Sequence, residues 1–313
     1  MTGLVFVFPG QGAQYVGMGK SLYEHSGRVR ELFQQAGQAL GLDLTGLCFE
    51  GPAEQLQKTE YAQPAILTVS IACLEVLSER GLHPVKAAGH SLGEYSALVA
   101  AGSLTFLDAV RLVRQRGRFM QEAVPPGVGG MVAVLGLGRP EVVDICNRAG
   151  EAGIVEAANL NCPGQVVIAG EKNALDRAAQ LAREAGAKRC VPLAVSAPFH
   201  SSLMKAAGER LAAELAGVQV LDPAIGVVAN VSADYLQSAA EVKAGLIGQV
   251  SSPVRWEESI RRILADGNSV FVEVGPGKVL TGLIKKIDRS ALTFNVEDWE
   301  SLEKVVAELG KDD

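Results

Sequence analysis

Disulfide chemistry has little to work with in this chain. Its five cysteines, Cys48, Cys73, Cys146, Cys162 and Cys190, are odd in number, far apart and without a CxxC pair, so neither a disulfide framework nor a zinc site is indicated. Aromatic residues make up only 5%, and no basic block interrupts a net charge of −6. Phosphate recognition needs clustered Lys and Arg, so no nucleic-acid partner is expected. No uninterrupted apolar run approaches bilayer length, and the start, Met1-Thr2-Gly3, carries no basic lead or small-residue cleavage site. These absences lead us to expect a reduced, cytoplasmic protein with no membrane, no metal and no bound cofactor.

What is present suits an α/β enzyme. The 313 residues are 48% hydrophobic and rich in Ala, Gly, Val and Leu, enough for one large α/β unit carrying an insertion. Leu4–Phe8 is a continuous apolar run ended by Pro9-Gly10, as in a strand buried on both faces. The following Gly10-Gln11-Gly12 and Gly17-Met18-Gly19-Lys20-Ser21 imitate a phosphate loop, but Gln14 stands where that motif requires glycine. Ile66, Val69, Cys73, Val76 and Leu77 recur at helical spacing and predict a helix from Pro64 to Arg80.

Beyond Pro125-Pro126-Gly127 the texture changes. Met131–Leu135, Ile154–Asn159, Val166–Ala169 and Cys190–Leu193 read as strands, with helices at Pro140–Ala149 and Leu175–Ala185. That order is β-α-β-β-α-β, the ferredoxin-like split unit. It predicts a small ferredoxin-like domain, 127–194, inserted into a large domain formed by 1–126 and 195–313. Ala224–Val231 and Val270–Val274, with a helix through Ile260–Ala265, return to the large domain.

Three polar residues stand out. Ser91 lies in Gly89-His90-Ser91-Leu92-Gly93, a GxSxG nucleophile elbow in which glycines let the backbone bend at a strand-to-helix corner. An ordinary tight turn is the plain alternative in a chain with 35 glycines. On the next helix, opened by Thr105, the residues Ala109, Leu112, Val113, Phe119 and Met120 form an apolar stripe, and Arg116 falls in its middle. Either a structural salt bridge or snorkelling accounts for such an arginine, or it awaits a substrate carboxylate. Of four histidines, His25 and His83 sit in connecting segments and His90 adjoins the serine, which leaves His200 as the candidate general base.

Taken together, Phe8-Pro9-Gly10-Gln11-Gly12, Gln63-Pro64-Ala65, Gly89-His90-Ser91-Leu92-Gly93-Glu94, Arg116-Gly117, the run Asn161 to Gly170, Pro198-Phe199-His200-Ser201, Gln249 and Glu273-Val274-Gly275-Pro276-Gly277 resemble, in order and spacing, the malonyl-CoA:acyl carrier protein transacylases. The resemblance covers nearly the whole chain. It implies an α/β-hydrolase-like large domain with a mostly parallel sheet. Ser91 would take malonyl from malonyl-CoA as an ester and pass it to the phosphopantetheine thiol of acyl carrier protein, with His200 as base. The resemblance further implies an oxyanion hole from the Gln11 and Leu92 N–H groups and a backbone carbonyl of Gln249 orienting His200. Arg116 would clamp the malonyl carboxylate, and Phe199 would disfavour branched acyl groups. A monomer serving fatty-acid synthesis is expected. A serine thioesterase or esterase, an acyltransferase of a polyketide pathway, and a non-catalytic binding module stay open.

Overall fold

A computed structural model describes residues 3–125, 127–195 and 197–310. Pro126, at the expected domain boundary, and Ser196 lie outside the described residues. Nine strands occur among those described: β1 (Leu4–Phe8), β2 (Lys86–Gly89), β3 (Gly129–Leu135), β4 (Val155–Cys162), β5 (Gln165–Glu171), β6 (Arg189–Pro192), β7 (Gly226–Val228), β8 (Val270–Val274) and β9 (Leu292–Val296). They form two sheets, one ordered β7-β2-β1-β8-β9 and the other β4-β5-β3-β6.

The first sheet is parallel throughout. Its alternation is read directly from β1, where Phe6 and Phe8 enter one core and Val5 and Val7 the other. The first core holds the helices Gly27–Leu40, Thr59–Glu79 and Phe106–Glu122, and the second holds Trp256–Ala265 and Val279–Ile287. Helices on both faces are what a parallel sheet requires. The helix Thr59–Glu79 is the one described helix long and apolar enough to cross a membrane, yet every residue from Ala62 to Cys73 is buried in the core.

The second sheet is antiparallel, and its order is that of a ferredoxin-like unit. Val132, Val134, Val166 and Ile168 face the helices Arg139–Ala149 and Lys172–Glu184, whereas Met131, Ala133, Val167 and Ala169 face the large core. One face thus folds the unit and the other attaches it. The attachment includes a parallel bridge from β4 to the segment before Trp256, with Leu160 N–H donating to Val254 O (2.9 Å) and Val254 N–H to Ala158 O (2.8 Å).

Two expectations need correction. The helix expected from Pro64 begins five residues earlier, at Thr59. Proline deletes only one ladder hydrogen bond there, and burial of nearly every following side chain outweighs that loss. The strand expected over Ala224–Val231 pairs only as Gly226–Val228. Beyond it Ala229 N–H turns back to Asp234 O (3.0 Å), which takes Asn230 out of the ladder.

The elbow glycines are dictated by contact. A Cβ on Gly89 would sit 1.9 Å from the Gly93 carbonyl carbon, and one on Gly93 would sit 2.0 Å from Phe8 O. Gly89→Ala therefore must force the start of the helix Gly93–Ala100 away from the end of β2. Its expected cost is at least about 1–3 kcal/mol, the usual scale for overpacking, read as a lower midpoint in denaturant.

Candidate active site

Parallel sheets place their ligand crevices at the carboxyl ends of strands, where the strand order reverses. Here β1 sits between β2 and β8, and the chain steps from β1 to one side and later to the other. The loop after β1 supplies Gln11, the turn after β2 supplies Ser91, and the turn after β7 supplies Asn230. All three meet at one edge.

Ser91 adopts φ 53°, a left-handed conformation uncommon for a residue with a side chain. Asn230 holds it there. Its Oδ1 accepts from Ser91 N–H (2.7 Å) and its Nδ2 donates to Gly89 O (2.6 Å), so one buried amide grips the turn on both sides of His90. The hydroxyl is half-buried, and the helix Gly93–Ala100 runs away behind it. This geometry is that of an elbow.

His200 comes from the loop after β6 and also has a positive φ, 60°. Its Nε2 lies 2.7 Å from Ser91 Oγ, and its Nδ1 lies 2.8 Å from Gln249 O. A carbonyl oxygen only accepts, so Nδ1 carries the proton and Nε2 is left free to receive the serine's. Burial and the Arg116 cation lower the pKa of His200 from 6.5 to about 3, which keeps the ring neutral. A hydroxyl so placed can lose its proton to the imidazole.

Arg116 is 1% exposed on the helix Phe106–Glu122. The neighbouring Gly117 makes that depth possible, since a Cβ there would strike Thr59 O at 2.7 Å and separate the two helices. The guanidinium donates to Gln63 Oε1 (2.9 Å), Ser91 Oγ (3.0 Å) and Gln249 Oε1 (2.9 Å). All three acceptors are formally neutral. Among the described residues Arg116 makes no ion pair, and its Nε has no partner. It neither snorkels nor serves a salt bridge. Arg111, Arg114 and Arg118, on the opposite face, line a separate depression of about 650 Å³ that touches none of these residues.

The remaining predicted residues fall nearby. Gln11 is half-buried, with its side chain donating to Thr59 Oγ1 (3.3 Å). Among the described residues, neither the Gln11 nor the Leu92 backbone N–H donates to a protein acceptor. Phe199 is buried beside His200 at the edge of the large core. A cleft of about 210 Å³ opens alongside, lined by Gln11, His90, Asn161, Gln165 and Leu193 among others, and His90 Nε2 lies 2.8 Å from Asn161 Oδ1. Sequence reasoning assigned no role to Asn230, Glu94 or the Gln249 side chain. Each is a single polar residue in an apolar segment, a weaker mark than the place of Arg116 on a helical stripe. No cluster of three or more potential metal ligands occurs among the described residues.

The fold and this edge define an α/β acyl-group enzyme, and comparison with known proteins agrees. Residues 5–312 match the family model described as an acyl transferase domain. The chain is 50% identical over 310 residues to the malonyl CoA-acyl carrier protein transacylase of Bacillus subtilis (strain 168), covering 99% of this chain and 98% of that protein. The Escherichia coli (strain K12) protein of the same name is 49% identical over 288 residues, covering 92% and 93%. The acyl-carrier-protein S-malonyltransferase of Burkholderia pseudomallei 1710b superposes with a TM-score of 0.95 at 47% identity, covering 97% and 99%. A malonyl-transacylase solved in complex with a type II PKS acyl-carrier protein superposes with a TM-score of 0.95 at 44% identity, covering 98% and 99%. The chain belongs to the malonyl CoA-acyl carrier protein transacylase family.

The low His200 pKa has a measurable sign. Protonation of Nε2 removes the acceptor, so Ser91 labelling by a neutral sulfonyl fluoride should be lost only well below pH 6.5, the range of an ordinary imidazole. An acid limb centred at 6.5 in the labelling rate would contradict the burial argument.

Proposed function

We infer that the chain transfers malonyl from malonyl-CoA to the phosphopantetheine thiol of an acyl carrier protein through an ester on Ser91. One observation carries the reading: a buried, ion-pair-free Arg116 touches the same hydroxyl that touches His200. A serine–histidine pair alone suits many acyl groups. A guanidinium beside it, with only neutral ligands, selects an acyl group that ends in a carboxylate.

In the first half-reaction Ser91 Oγ attacks the thioester carbonyl while His200 Nε2 takes its proton. The Gln11 and Leu92 N–H groups hold the oxyanion. The C–S bond then breaks, and the departing CoA sulfur receives the proton from His200. In the second half His200 takes the carrier thiol's proton, the sulfur attacks the ester carbonyl, and Ser91 Oγ leaves and regains a proton. Gln249 O stabilises the ring as it becomes cationic in each half. Phe199 narrows the space for a substituent beside the acyl carbonyl.

The same reading takes 127–194 as a small unit set into 1–126 and 195–313, and the protein as a cytoplasmic monomer serving fatty-acid synthesis. The relative bound to a type II PKS carrier makes a polyketide carrier a specific second acceptor to test.

Incubation with malonyl-CoA should add a malonyl mass to the Ser91 peptide, which carrier protein, but not buffer, removes rapidly. Loss in buffer alone identifies a thioesterase, and no adduct at all defeats both enzymatic readings. Arg116→Ala should lose malonyl loading at least about 100-fold more than acetyl loading, the scale of a charge-assisted bidentate pair. Equal losses would make Arg116 a structural residue. His200→Ala should slow both half-reactions with both donors.

A further inference from the structure

One buried acid takes no part in that chemistry. Glu94 lies three residues beyond Ser91 in the first turn of the helix Gly93–Ala100 and is 0% exposed. Both of its hydrogen bonds converge on one oxygen: Oε2 accepts from Asn230 N–H (2.8 Å) and from Gln249 Nε2 (2.8 Å), while Oε1 has no partner. Gln249 Nε2 also donates to Ser91 O (3.0 Å), and Gln249 Oε1 accepts from Arg116 (2.9 Å). Turned over, this amide would set its NH2 group against the guanidinium and its oxygen against three acceptors, Glu94 Oε2, Ser91 O and Asn230 Oδ1. Every contact would then be repulsive.

We propose that Glu94 is a positioning residue for acyl selection: its Oε2 sets the orientation of the Gln249 amide, and that amide aims Arg116 at the acyl group on Ser91. The proposal rests on the reading of Arg116 as a carboxylate clamp. The relay leaves the base aside, because His200 is held by the Gln249 backbone and not by its side chain. Convergence on a single oxygen also specifies what is needed. A neutral amide oxygen has two lone pairs and can accept both hydrogen bonds, so glutamine should substitute where alanine does not. Burial raises the Glu94 pKa from 4.5 to about 7, which agrees with a group valued as an acceptor more than as a charge.

The test compares Ser91 loading by malonyl-CoA and acetyl-CoA, and labelling by phenylmethanesulfonyl fluoride, in the parent, Glu94→Ala and Glu94→Gln. Glu94→Ala should lower the malonyl-to-acetyl loading ratio about tenfold, with Glu94→Gln restoring most of it. Labelling by the neutral reagent should follow acetyl loading. Equal losses with both donors, or a glutamine variant as poor as alanine, would overturn the proposal. Glu94→Met, which fills the space without an acceptor, replaces alanine if that variant does not fold. A crystal structure of the acceptor-less variant decides the point whatever acyl group the parent accepts. Gln249 turned away from Arg116 supports the relay, and an unchanged contact refutes it. A parent that never loads malonyl defeats the functional reading instead.

Discussion

A positive charge that cannot be given up is sealed inside this protein with no negative group in direct contact. The Arg116 guanidinium loses its hydration and receives only neutral oxygens in return. Burial works against the ionised form; the Tyr95 ring, its centroid 5.7 Å from the guanidinium carbon, and the nearby buried Glu94 partly offset that. Arginine does not deprotonate at neutral pH, so the deficit persists as a field across the site. It bears first on His200, whose charged form it opposes. It also explains the ring of buried amides, since Gln63 and Gln249 supply dipoles where a carboxylate side chain would close the position to an incoming anion.

The sheet makes this arrangement possible at low entropic cost. Three strand ends deliver the β1 loop, the elbow and Asn230 to one edge, each on a strand hydrogen-bonded to its neighbour. Helix packing does the rest, with Gly117 letting the arginine helix approach the helix of Gln63. The small sheet then lies over the edge through its Met131, Ala133, Val167 and Ala169 face. Its β-bridge at Val254 ties it to the stretch that leads out of Gln249. The small sheet is therefore joined to the site by backbone hydrogen bonds as well as by side-chain packing.

Much of this was legible before any coordinates. The continuous apolar run of β1, the glycines around Ser91 and the apolar stripe interrupted by Arg116 are each visible in local sequence, and His200 follows from the scarcity of histidine. The main-chain partners were not legible. Every residue has a carbonyl and an N–H, so nothing in residue identity marks Gln249 O, Gln11 N–H or Leu92 N–H, and only family resemblance pointed to them. Asn230 and Glu94 were hidden for another reason. Asn230 follows Val227, Val228 and Ala229, and Glu94 precedes Tyr95, so both sit in segments whose hydrophobicity describes packing and masks one polar exception. The extent of β7 was overread for the same cause.

The carbonyl of Gln249 that holds His200 belongs to the main chain, and this has a genetic consequence. No codon change at position 249 deletes that oxygen. Where a histidine is steered by an aspartate, a single substitution strips the steering group away. Here His200 keeps its support whatever residue stands at 249, and variation there acts through the amide bonded to Arg116, Ser91, Glu94 and Asn230. A change at this residue is therefore felt at Ser91 and Arg116, while the oxygen that holds His200 stays in place.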